Sequence, residues 1–195
     1  MRKGLIIFAA VGLLAILLWA GCKSTRGGYE SPKYRVVEKD GIFETRDYPV
    51  LIVAETSMAA DGQGMNSGFN KLFRFITGGN SKTEKIAMTT PVLVNPASSN
   101  SSMAFVMPGK YALSELPQPA DQAVSLRKIE AARYVVMRFS GSRSRESQEE
   151  NGARLLAWAK SKGLEPLSAP EFAYYDPPWI PGFLRRNEVR VRVKA

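Results

Sequence analysis

The sequence contains no histidine, and Cys22 is the only cysteine among its 195 residues. Without histidine, the chain cannot use a histidine general base, a Ser-His-Asp triad, a Cys-His pair or a histidine ligand to a metal. With one cysteine it forms no internal disulfide, and it lacks the ligands of the usual zinc sites and Cys-ligated clusters. Any reaction would have to use Asp, Glu, Lys, Tyr or Ser side chains.

Acidic residues are also few, because 27 lysines and arginines face 18 aspartates and glutamates, a net charge of +9. Such a surplus favours anionic partners, namely lipid headgroups, nucleic acid or small carboxylates, although it is equally typical of a soluble surface. No module that combines aromatic and basic residues for reading nucleic acid is present, so we expect no nucleic-acid partner. The length and the 45% apolar content predict one packed domain plus a targeting segment.

The first 22 residues have the layout of a secretory signal. Arg2 and Lys3 precede an almost wholly apolar run over residues 5–20. Ala20-Gly21-Cys22 resembles a bacterial lipoprotein box, in which the cysteine is lipidated, although Trp19 stands where an aliphatic residue is usual. The alternative is an uncleaved membrane anchor. Both interpretations tether the rest of the chain to a membrane of the bacterial cell envelope, with the domain outside the cytoplasm. Residues 23–33 are then a flexible leader, and residues 34–195 form the domain, which we expect to be a monomer.

Beyond the leader, strand and helix patterns alternate in two similar halves, each in the order strand, strand, helix, strand, strand. The predicted strands cover two segments within 34–48, then 50–58, 86–94, 103–107, 124–130, 132–140 and 188–194. The first helix follows Gly64, and the second has its body at 154–162, after a capping-box spacing at Ser147 and Glu150. We predict an α+β fold in which two β-β-α-β-β repeats close on themselves with both helices packed outside. The charged face of strand 188–194 indicates an edge strand.

The first helix carries an apolar stripe of Met65, Phe69, Leu72, Phe73 and Ile76 at helical spacing. Its aromatic residues can form part of the core, or they can line the wall of a hydrophobic ligand site. Both interpretations apply if the helix lies between the sheet and a ligand groove.

Four motifs in the expected order, FNKLFRFITGGN, KIAMTTPV, YYDPPWIP and FLRRNEV, resemble the SOUL / haem-binding-protein family over most of residues 34–195. The resemblance implies a distorted β-barrel, related to effector-binding domains. It also implies that haem or another porphyrin binds, without catalysis, in a hydrophobic groove near the first helix. An axial histidine is excluded here, so the ligand must be held by apolar contacts and by basic residues that pair with its propionates.

On this resemblance, Phe69 and Phe73 match groove residues, and Arg74 matches a basic residue that pairs with a propionate. A second basic position of the family, in the Pro-Pro loop, is occupied by Ile180. Lys71 and Trp179 complete the candidate ligand site. No metal site is expected in the protein itself, and Met88 and Met107 fit the core better than an iron-ligand role.

Four other questions stay open. Arg185 and Arg186 either bind ligand carboxylates or pair with an acid such as Glu188. Tyr174 and Tyr175 are adjacent in a strand, so only one of them can line a given pocket. A hydrolase or effector-type binder of another flat hydrophobic molecule would need converging carboxylates; the candidates are Glu44, Glu55 and Glu171. A solid exterior without a groove would indicate an interaction domain.

Overall fold

A computed structural model describes residues 28–58, 64–96 and 101–194. Cys22, the predicted tether and the first part of the predicted leader lie outside these residues. The elements in chain order are β1 (Arg35–Asp40), β2 (Phe43–Tyr48), β3 (Leu51–Ser57), α1 (Gly64–Ile76), β4 (Val92–Asn95), β5 (Ser102–Val106), β6 (Val124–Ile129), β7 (Ala132–Phe139), α2 (Arg145–Ser161), β8 (Glu171–Tyr174) and β9 (Asn187–Val193). A short 3-10 helix, Gly182–Leu184, lies between β8 and β9. Neither α1 nor α2 is long and apolar enough to cross a bilayer, and the same holds for the remainder of the described ranges.

These strands form one antiparallel sheet in the order β1-β2-β7-β9-β8-β4-β5-β3-β6. After β1, the elements repeat as β-β-α-β-β, first from β2 to β5 and then from β6 to β9. The predicted α+β class and the two repeats are therefore confirmed.

The sheet curls into a half-barrel. Tyr48 on β2 and Tyr134 on β7 pack with Leu51 on β3, and Ile129 on β6 contacts the same cluster. These strands come from opposite ends of the sheet order, so their contact shows that the sheet bends toward this face. The other face carries the large core, which joins residues of both helices with side chains from most strands. Both helices consequently lie outside the curl, as predicted.

The prediction that the last strand is an edge strand is wrong. β9 lies between β7 and β8, and its valines face the helix-side core. Arg190 faces the interior of the curl, where its guanidinium is buried 2.6 Å from the Glu171 carboxylate. The alternation along β9 therefore separates an apolar face from an ion-paired face, and both faces are buried. The sequence of one strand does not show which strands pair with it.

α2 begins earlier than its predicted capping box. Ser144 caps it, and the Ser144 hydroxyl accepts a hydrogen bond from the Ser147 amide at 3.3 Å. Several serines in this stretch have a spacing suited to a cap. The one that caps α2 is Ser144, which has an extended backbone immediately before the helix.

The Thr89-Thr90-Pro91 segment shortens the predicted strand 86–94, so that β4 starts at Val92. The Thr89 hydroxyl donates to the Val106 carbonyl oxygen at 2.6 Å, and the Thr90 amide donates to the Glu30 carbonyl oxygen at 2.9 Å. The Thr90 and Ser31 hydroxyls are hydrogen-bonded at 2.8 Å. This segment therefore holds the end of the predicted leader against the sheet.

Candidate functional site: a groove between the two helices

The two helices flank a strip of sheet formed by β4 and β8. α1 packs mainly on β3, β5 and β6, whereas α2 packs mainly on β7 and β9. In the sheet order β8 and β4 stand between these two sets of strands. The helices therefore stand on either side of this strip, which we call the floor of the candidate groove.

Three side chains in register form the groove floor: Phe105, Val92 and Tyr174. Phe105 is opposite Val92 across β5 and β4, and Val92 is opposite Tyr174 across β4 and β8. Directly opposed residues project to the same face, and Phe105 and Tyr174 both belong to the helix-side core. Two strand spacings separate them, about 10 Å. Val92, midway, is partly exposed, whereas Phe105 and Tyr174 are only 2% and 3% exposed, so the strip is apolar and meets solvent mainly at Val92.

Phe69 and Phe73 form the α1 side of the groove. Their rings stack with centroids 5.8 Å apart, and the Phe69 ring meets the edge of Phe105 at 5.2 Å. They are 37% and 46% exposed, in contrast to 1% for Phe75. Because β5 is the strand of the α1 set that adjoins β4, the pair lies on the edge of α1 that faces the open strip.

The predicted stripe is consequently split between two environments. The face of α1 that is packed into the core consists of Gly68, Leu72, Phe75 and Ile76. Gly68 has no side chain, and a Cβ placed there would lie 3.3 Å from Met58, so α1 sits close to the sheet at this turn. That close approach turns Phe69 and Phe73 to the flank of the helix.

Arg74 and Lys71 add positive charge to α1. The Arg74 side chain is exposed, and Lys71 is half-buried. Neither forms an ion pair with an acidic residue in the described ranges. α1 thus combines an aromatic edge with cations that the protein leaves available.

The opposite side of the groove contains residues that the sequence did not single out. The Arg143 guanidinium lies over the Tyr174 ring, 4.6 Å from its centroid, and donates to the Asp176 carbonyl oxygen. Gln148 on α2 donates to the Tyr174 hydroxyl at 2.8 Å. Arg143 occurs in a polar Ser/Arg stretch without apolar periodicity, so nothing in the sequence distinguishes it from a solvated arginine.

The 176–186 loop borders this side. Arg185 donates from Nε to the Ile180 carbonyl oxygen at 2.7 Å and from Nη2 to the Pro178 carbonyl oxygen at 2.6 Å, which fixes the loop around Trp179. Trp179 and Phe183 are each 76% exposed, whereas Ile180 is buried. The structure therefore brings Phe69 and Phe73 together on α1, whereas Trp179 lies in the 176–186 loop, whose Asp176 carbonyl oxygen accepts a hydrogen bond from Arg143.

The inside of the curl is charged but internally neutralised. Arg46 lies 2.8 Å from Glu188, and Arg186 lies 2.7 Å from the same carboxylate. Burial alone would raise the pKa of Glu188, but hydrogen bonds from Arg46 and the charges of both arginines outweigh it and lower that pKa. Tyr175 points into this interior and donates to Glu188 at 3.1 Å, while Tyr174 faces the helices, as the alternation of a strand requires.

The three carboxylates considered for acid–base chemistry are each held by an arginine. The Glu44–Arg46, Glu55–Arg127 and Glu171–Arg190 pairs have N–O distances of 2.7, 2.5 and 2.6 Å. Hydrogen bonds from Arg127 lower the pKa of Glu55. Each of these side chains is therefore the partner of an arginine in an ion pair.

The part of the chain that the structure describes contains no cluster of three or more His, Cys, Asp or Glu side chains suited to a metal ion. Met107 is buried, and Met88 is half-buried against the helix-side core.

A second concavity lies away from this groove. It has a volume of about 450 Å³ and is lined by the Glu30–Lys33 segment, the turn between β2 and β3, and residues after β5. Its lining includes none of Phe69, Lys71, Phe73, Arg74 and Trp179.

Two heme-binding proteins are similar to this chain in sequence. Heme-binding protein 1 of Xenopus laevis is 27% identical over 188 residues, covering 85% of this chain and 93% of that protein. Heme-binding protein 1 of Xenopus tropicalis is 25% identical over 185 residues, covering 84% and 92%.

Solved structures show the same fold at low identity. The C-terminal domain of EcmrR superposes with a TM-score of 0.57 at 12% identity, covering 83% of this chain and 98% of that one. A hydrolase from Listeria innocua superposes with a TM-score of 0.56 at 13% identity, covering 81% and 94%. The family model described as SOUL heme-binding protein matches residues 29–192, and the chain therefore belongs to that family.

Proposed function

We propose that this protein binds haem or a related tetrapyrrole, without catalysis, in the groove between α1 and the 176–186 loop. The observation that carries the proposal is the stacked, half-exposed Phe69–Phe73 pair beside the apolar floor. Exposing two large rings to water is unfavourable, and a planar apolar ligand would cover them. Membership in a family of heme-binding proteins supports the same ligand class.

Apolar contacts supply the affinity, and cations neutralise the ligand carboxylates. Arg74 and Lys71 provide positive charge on α1, and the exposed Trp179 on the 176–186 loop offers a further aromatic surface. The chain has no histidine, so binding does not use an imidazole ligand to iron. A porphyrin without metal should accordingly bind about as tightly as haemin.

The N-terminal pattern supports a location at the cell envelope. The apolar run over residues 5–20 and Cys22 support a tether to the membrane of a bacterial cell envelope, either by lipidation of Cys22 or by an uncleaved anchor. The domain would then present its groove beside that membrane, as a monomer. Mass spectrometry of the membrane-bound protein tests this: an acylated N-terminal Cys22 supports lipidation, and an intact Met1 supports the anchor.

Absorbance titration of the protein lacking residues 1–22 tests the ligand. We expect a saturable 1:1 shift of the Soret band at micromolar haemin, and a dissociation constant for protoporphyrin IX within about threefold of that value. Absence of saturation with both ligands would refute tetrapyrrole binding. Tight haemin binding with no protoporphyrin binding would instead show that the iron is ligated by the protein.

A further inference from the structure

Two aromatic side chains of the 176–186 loop are more exposed than the rest of the apolar surface. Trp179 and Phe183 each leave 76% of their surface open, the largest fraction for any large hydrophobic side chain in the described ranges. Single exposed apolar residues are common on protein surfaces, but here two large rings occur in one short loop. Tryptophan is enriched where proteins meet the boundary between lipid and water, so a bilayer surface is a partner of suitable chemistry.

The loop is held in place, so the exposure of these rings is a property of the fold. Three prolines within residues 177–181 restrict its backbone. The two hydrogen bonds from Arg185 to backbone carbonyl oxygens close it, at 2.7 and 2.6 Å. The Gly182 carbonyl oxygen accepts a hydrogen bond from the Gly141 amide at 2.9 Å, and Ile180 is buried as an anchor. The aromatic rings are therefore presented to the outside by a fixed support.

The loop lies at the end of the sheet where the N-terminal segment joins the domain. Tyr174, the last residue of β8, is opposite Val92, the first residue of β4. Immediately before β4, the Thr90 amide donates to the Glu30 carbonyl oxygen at 2.9 Å. The loop follows β8 and the contact with Glu30 precedes β4, so both lie at the same end of two neighbouring strands. The preceding chain, with its apolar run over residues 5–20, joins the domain at this end.

Two further apolar side chains are exposed at the same end. Tyr29, next to the N-terminal contact, is 45% exposed, and Val50, immediately before β3, is 46% exposed. β3 begins at this end of the sheet, because Val53 pairs with Val106, the last residue of β5. Apolar exposure at this end thus extends beyond the 176–186 loop to the segments on which the N-terminal chain rests.

The cations at this end are left for an anionic partner. Arg185 donates only to carbonyl oxygens, and no acidic side chain of the described segments forms an ion pair with Arg185, Lys33 or Lys110. The neighbouring Glu30 carboxylate is engaged by the Gly109 amide, from which it accepts a hydrogen bond at 2.8 Å. Anionic headgroups attract lysine and arginine side chains near a membrane surface, so the charge here is complementary to a bilayer.

We propose that this end of the domain is a membrane-contact surface, in which Trp179 and Phe183 insert among the headgroups of an anionic bilayer. The inference rests on the proposed location at a membrane and adds the orientation of the domain. The rings supply apolar contact with lipid, and the cations pair with lipid phosphates. Trp179 then borders both the lipid and the groove, whereas Phe183 contacts lipid alone.

The test measures tryptophan quenching in the full-length protein, bound to vesicles of phosphatidylglycerol and a phosphatidylcholine that is brominated on its acyl chains. The chain has three tryptophans, and the changes Trp19→Phe and Trp158→Phe leave Trp179 as the reporter. Trp179 should lose most of its fluorescence to the brominated lipid and be shielded from acrylamide in the water. Phe183→Asp should reverse both effects, because it places a negative charge among the phosphates, while the N-terminal segment still holds the protein on the vesicles.

Leu167→Trp, combined with Phe at the three native tryptophan positions, is the matched control. Leu167 is apolar and 52% exposed, and its amide donates to the Arg192 carbonyl oxygen at 2.7 Å. Arg192 lies five residues along β9 from Asn187, where the loop ends, a distance of roughly 17 Å. The indole at position 167 should therefore respond to acrylamide and not to the brominated lipid.

The other outcomes overturn the inference in distinguishable ways. If the protein floats with the vesicles but Trp179 responds only to acrylamide, the orientation is wrong and the membrane location stands. Equal lipid quenching at positions 167 and 179 would show that the domain has no preferred face toward the bilayer. Unchanged quenching of Trp179 in vesicles without phosphatidylglycerol would remove the role of the cations. If the full-length protein does not float with vesicles, the proposed location itself fails, and the inference fails with it.

Discussion

Replacing Phe73 with alanine should damage ligand binding far more than folding. A phenylalanine carries roughly 200 Å² of surface, and Phe73 leaves 46% of its surface exposed, so about 90 Å² is open to a ligand. At about 25 cal/mol per Å² this corresponds to about 2 kcal/mol, or an increase of about 30-fold in the dissociation constant. The figure is an upper value, since a ligand covers only part of the open surface.

The cost in stability is smaller, because Phe73 is half exposed and its loss leaves no enclosed cavity. We expect the free energy of unfolding, measured by urea titration, to fall by less than about 2 kcal/mol. Haemin titration at a temperature where both proteins are folded separates the two effects. The variant should show the wild-type circular dichroism spectrum and a weakened but still saturable Soret shift.

Val36→Ala is the matched control. Val36 is also 46% exposed, but it lies on the edge strand β1, five strands away from β4 in the sheet order. Its replacement should leave haemin affinity unchanged. A change of less than twofold for Phe73→Ala, with the fold intact, would show that the aromatic pair on α1 is not part of the site.

Three further predictions concern the scaffold. Glu188→Gln should lower the free energy of unfolding by about 3 kcal/mol or more, because it leaves Arg46 buried without its main counter-charge; a loss below 1 kcal/mol in urea titrations would contradict this. Hydrogen bonds from Arg133 lower the pKa of Asp47 to about 2, whereas the pKa in an unfolded chain is about 3.9. The stability that Asp47 contributes is therefore present above about pH 4 and lost as the pH falls toward 2, and Asp47→Asn should reduce this pH dependence in acid titrations. Gly78→Ala should cost about 1–3 kcal/mol in urea unfolding, because Gly78 ends α1 at a φ of 114° that alanine rarely adopts; an unchanged midpoint would show that the turn relaxes freely.

Periodicity in the sequence predicts the strands and helices well, since it reflects local burial. The alternation of side chains along β9 reflects local burial, but the position of β9 in the sheet depends on its pairing with β7 and β8, which its own sequence does not encode. Charged side chains facing the inside of the curl, such as Arg190, have the same sequence pattern as solvent-exposed ones.

The candidate site was only partly predictable for the same reason. The family motif identifies Phe69 and Phe73, and helical spacing places them on one helix. Their exposure depends on how closely α1 approaches the sheet at Gly68. The sequence does not distinguish Arg143 from a solvated arginine, because its contact with Tyr174 joins residues 31 positions apart.

The location of bound ligand is the most direct test of the central claim. Two-dimensional NMR of the labelled protein, titrated with a diamagnetic metalloporphyrin, should show ring-current shifts concentrated at residues 69–74, at Val92 and at residues 174–179. Shifts centred on the separate cleft, at Glu30, Val50 and Pro108, or on the buried ion pairs around Glu188, would contradict the assignment of the groove between α1 and the 176–186 loop as the binding site.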